Sequence, residues 1–291
     1  MTGGARAGRR GARGAVVALV RHVTTDDLPK IAASLTYFLT LSFAPALIVV
    51  LAVLGLVGMS PSSIVTLLDA VAGIAPPWFV QFVNAALQSV LQTHYGVLAL
   101  VVGLALALWT ASNYVTAFLW AASTITGAPV ARGFVRGLLR RLGLALALLG
   151  FLLVAASAVV LVDPAAAWLG KLLGLGDAVV HAWSILRYVF LVAVGVAWFA
   201  ILFRAAPAPR RPRLPQTLTG AAVAVAVMVV ASLAFSFYLT HFAAYERVYG
   251  VLGAAVAALA WAWLLNIGLL VGFEVTTLLE RGATATSAPS V

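Results

Sequence analysis

The side chains in this sequence that are able to do chemistry are few, and their positions are informative. There is no cysteine, and the four histidines, His22, His94, His181 and His241, stand far apart along the chain. No His-Glu-x-x-His helix, Gly-x-Ser-x-Gly elbow or nucleotide-binding glycine loop is present. Two-metal phosphodiester cleavage needs several carboxylates converging on one pair of ions. Asp26, Asp27, Glu274 and Glu280 are a poor set for that reaction. The chain is therefore expected not to be an enzyme, and to hold no cofactor and no metal.

What remains are polar groups set in apolar stretches. Glu274 lies within a few residues of an apolar run, and a carboxylate there is either a proton or cation site or the partner of Arg140, Arg141 or Arg204. Trp109, Ser112, Asn113, Thr116 and Trp120 recur at offsets of three, four, seven and eleven, which puts them on one helix face. Such a stripe is expected to meet protein or water, as glue between helices or as a lining for a polar head group. Pro45 follows Ser34, Tyr37, Thr40 and Ser42. It has no N–H to donate to Leu41, so the plain expectation is a kink with the hydroxyls bonded inside the helix. The alternative is a broken helix whose freed backbone lines a cavity.

The elements that position these groups follow from composition. Of 291 residues, 64% are apolar and 9% charged, where soluble domains carry roughly 45–50% and 25%. A surface facing water cannot be built from so few polar side chains, so the chain reads as an all-α integral membrane protein. A helix needs about 20 apolar residues to cross the hydrocarbon. Charge-free runs then give six transmembrane helices near 34–58, 96–121, 142–162, 184–203, 217–239 and 250–272. Between the first two, Pro76-Pro77 interrupt the run, and Gln81, Asn84, Gln88 and Gln92 recur at helical spacing opposite an apolar face. The first outer loop, 62–94, is accordingly expected to form amphipathic helices.

Charge gives the orientation. Arg6, Arg9, Arg10, Arg13, Arg21 and Lys30, then Arg132, Arg136, Arg140 and Arg141, then Arg204, Arg210, Arg211 and Arg213, and finally Arg281 fall on one side of six spans. That is fifteen basic residues against three, Lys171, Arg187 and Arg247, on the other. The rule that positive loops stay inside places both termini in the cytoplasm. The first span is expected to stay as an uncleaved anchor, since the apolar stretch 15–20 is too short for a signal core. The expected organisation is a basic flexible segment 1–24, a six-helix transmembrane domain 25–280 and a short tail 281–291. Arg132, Arg136 and Arg140 repeat every four residues, and with Arg211 they are candidate contacts for anionic lipid, or simply charges that set orientation.

A likeness between two spans adds to this. Tyr95-Gly96-Val97-Leu98 opens the second and Tyr249-Gly250-Val251-Leu252 the last, each with a tryptophan fourteen residues after the tyrosine, at Trp109 and Trp263. Both spans run from outside to inside, which suggests a parallel repeat flanking one pathway.

Three stretches together resemble the YihY / virulence factor BrkB family of bacterial inner-membrane proteins. They are 32–45, with Ala32-Ala33-Ser34-Leu35-Thr36-Tyr37-Phe38 leading to Pro45; Leu108-Trp109-Thr110-Ala111-Ser112; and Tyr249-Gly250-Val251-Leu252-Gly253-Ala254 followed by Trp261 and Gly272-Phe273-Glu274. The chain departs from the family pattern at Ala44, Phe273 and Thr276. The resemblance implies six helices, cytoplasmic ends and the bacterial plasma membrane. It also brings a ribonuclease label, which the poor set of acids argues against.

Tyr37, Pro45, Trp109, Ser112, Asn113, Thr116, Tyr249, Trp261 and Glu274 thus form a candidate pathway lining. The leading functional expectation is a transporter or flippase of a lipid or amphipathic envelope molecule. The alternative is a non-transporting scaffold that meets an envelope partner, or a second copy, through 62–94. Membrane lipids are the expected partners, and nucleic acid is not.

Overall fold

A computed structural model describes residues 28–56, 96–129, 137–155, 176–241 and 244–286. The basic segment 1–24, the outer loop 62–94 and Arg132 and Arg136 lie outside the described residues. All regular structure among the described residues is helical. The helices are α1 Leu28–Leu56, α2 Gly96–Thr126, α3 Gly137–Ala155, α4 Gly176–Ala205, α5 Leu214–His241 and α6 Ala244–Thr286. Five of them, α2 to α6, hold among the described residues a stretch long and apolar enough to cross a membrane. In hydrocarbon every backbone N–H and C=O must be paired within the segment, which is why runs this apolar become helices.

Helix ends are set by local chemistry. Gly127 takes a left-handed φ of 69°, which glycine adopts without a Cβ clash, and this stops α2. The Thr126 hydroxyl bonds back to Ala122 O at 2.8 Å and across to Pro207 O at 3.0 Å. At the start of α5, Gln216 Oε1 accepts the Arg213 N–H at 2.8 Å, and Thr217 N–H bonds to Arg213 O. This is one half of a capping box, and Pro215 in the first turn loses no needed donor.

Cross-helix contacts give the relative directions. Thr126 bonds to the 206–213 loop, Gln216 Nε2 donates to Leu279 O, and Arg281 donates to Ile125 O. The ends of α2, α4 and α6 therefore meet the start of α5 at one end of the bundle. Phe151 stacks on Trp198, and Arg140 comes within electrostatic reach of Arg211, so α3 starts at that end and runs away from it. Arg140, Arg204, Arg210, Arg211, Arg213 and Arg281 all belong to segments that converge there. Near this end Phe118, Phe203 and Phe273 pack as a triad, with ring centroids 5.5–6.2 Å apart. Each such aromatic pair is worth about 0.5–1.5 kcal/mol beyond its burial.

α5 and α6 run antiparallel and very close. A Cβ on Gly272 would stand 2.6 Å from Gly220 O and 2.9 Å from Ala224 Cα, and one on Gly220 would fall on Thr276. Without a hydrophobic drive between lipid-soaked helices, this kind of backbone approach is what holds them together. Outside, the surface is oily. Val230, Leu233 and Phe237 on α5 are each about two-thirds exposed, as suits a molecule whose solvent is hydrocarbon.

The last helix is longer than its apolar run. It spans 43 residues, where the sequence marked only 250–272 as membrane-crossing. No proline interrupts 273–286, and Gly282 does not take a left-handed φ, so the helical ladder simply continues. α1 passes through Pro45 from Leu28 to Leu56. Its first turns meet the middle of α6, with Trp263 Nε1 donating to Pro29 O and Asn266 Nδ2 to Thr36 Oγ1.

Candidate functional site

Polar groups in the bundle fall into two kinds, buried and uncovered. The buried kind centres on Asn266, midway along α6. Its Nδ2 donates to Thr36 Oγ1 at 3.1 Å and to Ala262 O at 3.0 Å, and its Oδ1 accepts the Tyr114 hydroxyl at 2.9 Å. The Thr36 hydroxyl donates in turn to Ala32 O at 2.8 Å. Three helices are joined by a chain in which every member is satisfied, as a low-dielectric interior demands. Just over two turns further along α6 lies Glu274, with no exposed surface, near the buried Thr276 and Thr277 on its own helix. Thr277 donates to Glu274 O and Thr276 to Gly272 O. From the sequence, Glu274 sat near an interface where its charge would reach water. In the structure α6 continues past it, and the bundle closes over it.

The uncovered kind is the α2 stripe. Trp109 is 65% and Trp120 56% exposed, while Ser112, Asn113 and Thr116 between them are half-buried. The opposite face, with Ala111, Tyr114, Val115, Phe118 and Ala122, packs into the core. Thr116 donates to Ser112 O at 2.7 Å. Among the described residues the Ser112 hydroxyl and the Asn113 amide make no hydrogen bond. An amide left unpaired in hydrocarbon costs about 4–8 kcal/mol on a cyclohexane scale.

The other expected lining residues are scattered. Tyr37 is 60% exposed and meets Phe38 edge-on. Pro45 is half-buried inside α1. The serine and threonine hydroxyls before it bond within the helix: Ser34 to Ile31 O, Thr40 to Thr36 O and Ser42 to Phe38 O. Trp261 is exposed and donates to Ser232 Oγ at 3.1 Å. Tyr249 lies in α6, with its side chain outside the described residues. The structure thus keeps Ser112, Asn113 and Thr116 together between two tryptophans, and it does not bring Trp261 or Glu274 to them. Of the expected lipid contacts, Arg140 and Arg211 approach one another from α3 and the 206–213 loop.

The sequence profile described as "Virulence factor BrkB" matches residues 19–290. The chain belongs to the virulence factor BrkB family. Within reach of this BrkB-family chain are "Putative ribonuclease-like protein YfkH" of Bacillus subtilis (strain 168), 27% identical over 86% of this chain and 89% of that one, and membrane proteins of the UPF0761 group. One from Pseudoalteromonas atlantica is 33% identical over 33% of this chain and 32% of its own. Another from Xanthomonas campestris pv. campestris (strain B100) is 33% identical over 30% of this chain and 20% of its own. No solved structure matches the chain. Three groups central to this BrkB-family bundle carried no weight in the sequence reading: Asn266, Tyr114 and Gly220. A lone amide inside the apolar run 250–272 was the available signal for the first. For Gly220 the available signal was the Gly268/Gly272 spacing, which called for a small residue on a neighbouring helix.

Proposed function

We propose that the chain moves lipids, or amphipathic envelope molecules built like them, between the leaflets of a bacterial plasma membrane, with its arginine-rich end and both termini in the cytoplasm. One observation carries this reading: a bundle of membrane-spanning helices gathers arginines from three separate segments at a single end. Arg140 and Arg211 repel each other, and no acid among the described residues pairs with either. Phosphate at the head-group level is the natural counter-charge for such a pair. The absence of a nucleotide-binding motif leaves an ion gradient, a partner or the lipid gradient itself to drive movement.

The ribonuclease-like name belongs to the Bacillus relative and is not extended to this chain. Glu274 is enclosed by helices, and Glu280 sits beside Arg281 and Arg210. These surroundings of Glu274 and Glu280 support reading the chain as a membrane transporter and not as a nuclease.

The test is reconstitution of the purified protein into vesicles of phosphatidylethanolamine and phosphatidylglycerol with fluorescent lipid analogues. Movement between leaflets should be faster than in empty vesicles. R140Q/R211Q should slow the anionic lipid several-fold more than the zwitterionic one. Movement no faster than in protein-free vesicles would end this reading.

A further inference from the structure

We infer that the uncovered stripe on α2 is a track for phospholipid head groups, open sideways to the bilayer, so that the acyl chains stay in lipid while the head group crosses. The inference deepens the transport reading above and rests on it for its purpose, but the head-group site it names is separately measurable. The stripe lies wholly inside the membrane-spanning stretch Val101–Thr126. From Trp109 to Trp120 it covers eleven residues, about 16 Å at 1.5 Å per residue. That is more than half of a hydrocarbon layer about 30 Å thick.

Threonine hydroxyls along α2 are neutralised within the helix. Thr110 donates to Leu106 O, Thr116 to Ser112 O and Thr124 to Trp120 O. Among the described residues the Ser112 hydroxyl and the Asn113 amide have no such bond, and they sit side by side between the two exposed tryptophans. The outer face of α5, by contrast, is mainly apolar, with Val229, Val230, Leu233 and Phe237 exposed and Ser236 a single hydroxyl among them. An amide that donates and accepts, flanked by indole N–H groups, fits a phosphate ester better than it fits acyl chains.

The lower end of the track supplies the charge argument for a phospholipid over a protein occupant. The last turn of α2 is tied to the arginine loop by Thr126–Pro207 and to α6 by Arg281–Ile125. A head group leaving the stripe at that end therefore enters a rim of positive charge. Two-chain lipids reach the stripe from the membrane itself, whereas a soluble phosphate ester would have to cross hydrocarbon to reach it.

The experiment uses the full chain in vesicles containing phosphatidylglycerol with a photoreactive azide on its head group. Mass spectrometry then locates the adducts, with the α5 surface around Val230 as the control at comparable exposure. Labelling of 109–120 should exceed labelling around Val230 at least tenfold. Asn113→Leu should cut both this labelling and the lipid movement at least fivefold, without loss of folded yield. Water-soluble glycerophosphate carrying the same azide should label the stripe weakly, and labelling equal to that by the lipid would overturn a bilayer-fed track. Label no denser at the stripe than at Val230, in a preparation that moves lipid, would overturn the track and leave transport standing. Labelling of the stripe in a preparation that moves no lipid would keep the head-group site and remove transport. A protein–protein adduct at 113 in place of lipid would assign the face to a second copy or to another part of the chain, and overturn the track.

Discussion

α2 and α6 begin alike and end in different surroundings. Both open on Tyr-Gly-Val-Leu, 154 residues apart, and both carry a tryptophan fourteen residues after the tyrosine. They run in the same direction and touch in step: Tyr114 with Asn266, Phe118 with Phe273, Ile125 with Arg281. At the common spacing Ser112, Thr116 and Trp120 of α2 correspond to Asn266, Leu270 and Glu274 of α6. The first set is half-buried or exposed, and the second is completely enclosed. The same level is bare on one helix and covered on the other, where α1, α2 and above all α5 pack against it. The likeness in sequence therefore preserves direction and level but not environment. Polar groups on α6 act as internal joints, whereas those on α2 are offered to whatever lies outside.

The strongest way to break the comparison is at the seam that encloses α6. Gly272→Val forces a branched side chain against Gly220 O and Ala224 Cα, both backbone atoms that cannot rotate away. Overpacking costs about 1–3 kcal/mol and sometimes more, and here the helices have to separate. We expect loss of most folded protein, read as monodisperse yield in detergent. The corresponding position on α2 is Phe118, whose ring is buried against Phe203 and Phe273, so at this level α2 meets its neighbours through side chains where α6 meets α5 through backbone. A normal yield from Gly272→Val would mean that α5 and α6 do not lie this close.

That seam also shows what was legible beforehand. Hydropathy alone placed the helices: the runs 96–121, 184–203 and 217–239 fall inside α2, α4 and α5. Facing was not legible for α5 and α6, because a helix apolar all round gives no preferred inward side. The α2 stripe was legible as a stripe, since five polar or aromatic residues recur on one face. Its outward direction was not, because the opposite face is ordinary core. Glu274 drew attention as an acid near a span, but its depth depends on α6 running on to Thr286, which no hydropathy boundary reports.

A weaker perturbation sharpens the contrast between bonded and unbonded polar groups. Asn266→Leu leaves the Tyr114 hydroxyl and Thr36 Oγ1 without their shared partner in the core. Stranding a buried polar group costs about 1–3 kcal/mol, and unfolding in mixed micelles should move by that amount. Ser112→Leu, at the corresponding level of α2, removes no bond among the described residues and should shift stability by less than about 0.5 kcal/mol. Equal losses from the two would show that the α2 face is covered after all.

The smallest expected difference lies between the two tryptophans that started the comparison. Trp263 Nε1 donates to Pro29 O at 3.0 Å and so ties the first turn of α1 to α6. Trp109, at the same distance from its Tyr-Gly, projects from the bundle. Replacing either by Phe keeps an aromatic ring and removes the N–H. Hydrogen bonds between membrane helices average about 0.6 kcal/mol, so Trp263→Phe should cost about that much and loosen the start of α1, seen as faster amide exchange there. Trp109→Phe should leave stability unchanged. On the head-group reading it should still weaken labelling by the azide-bearing lipid, because the lost donor faces the membrane and not the protein. A Trp109→Phe variant less stable than Trp263→Phe would reverse the assignment of which helix is the joint and which is the surface.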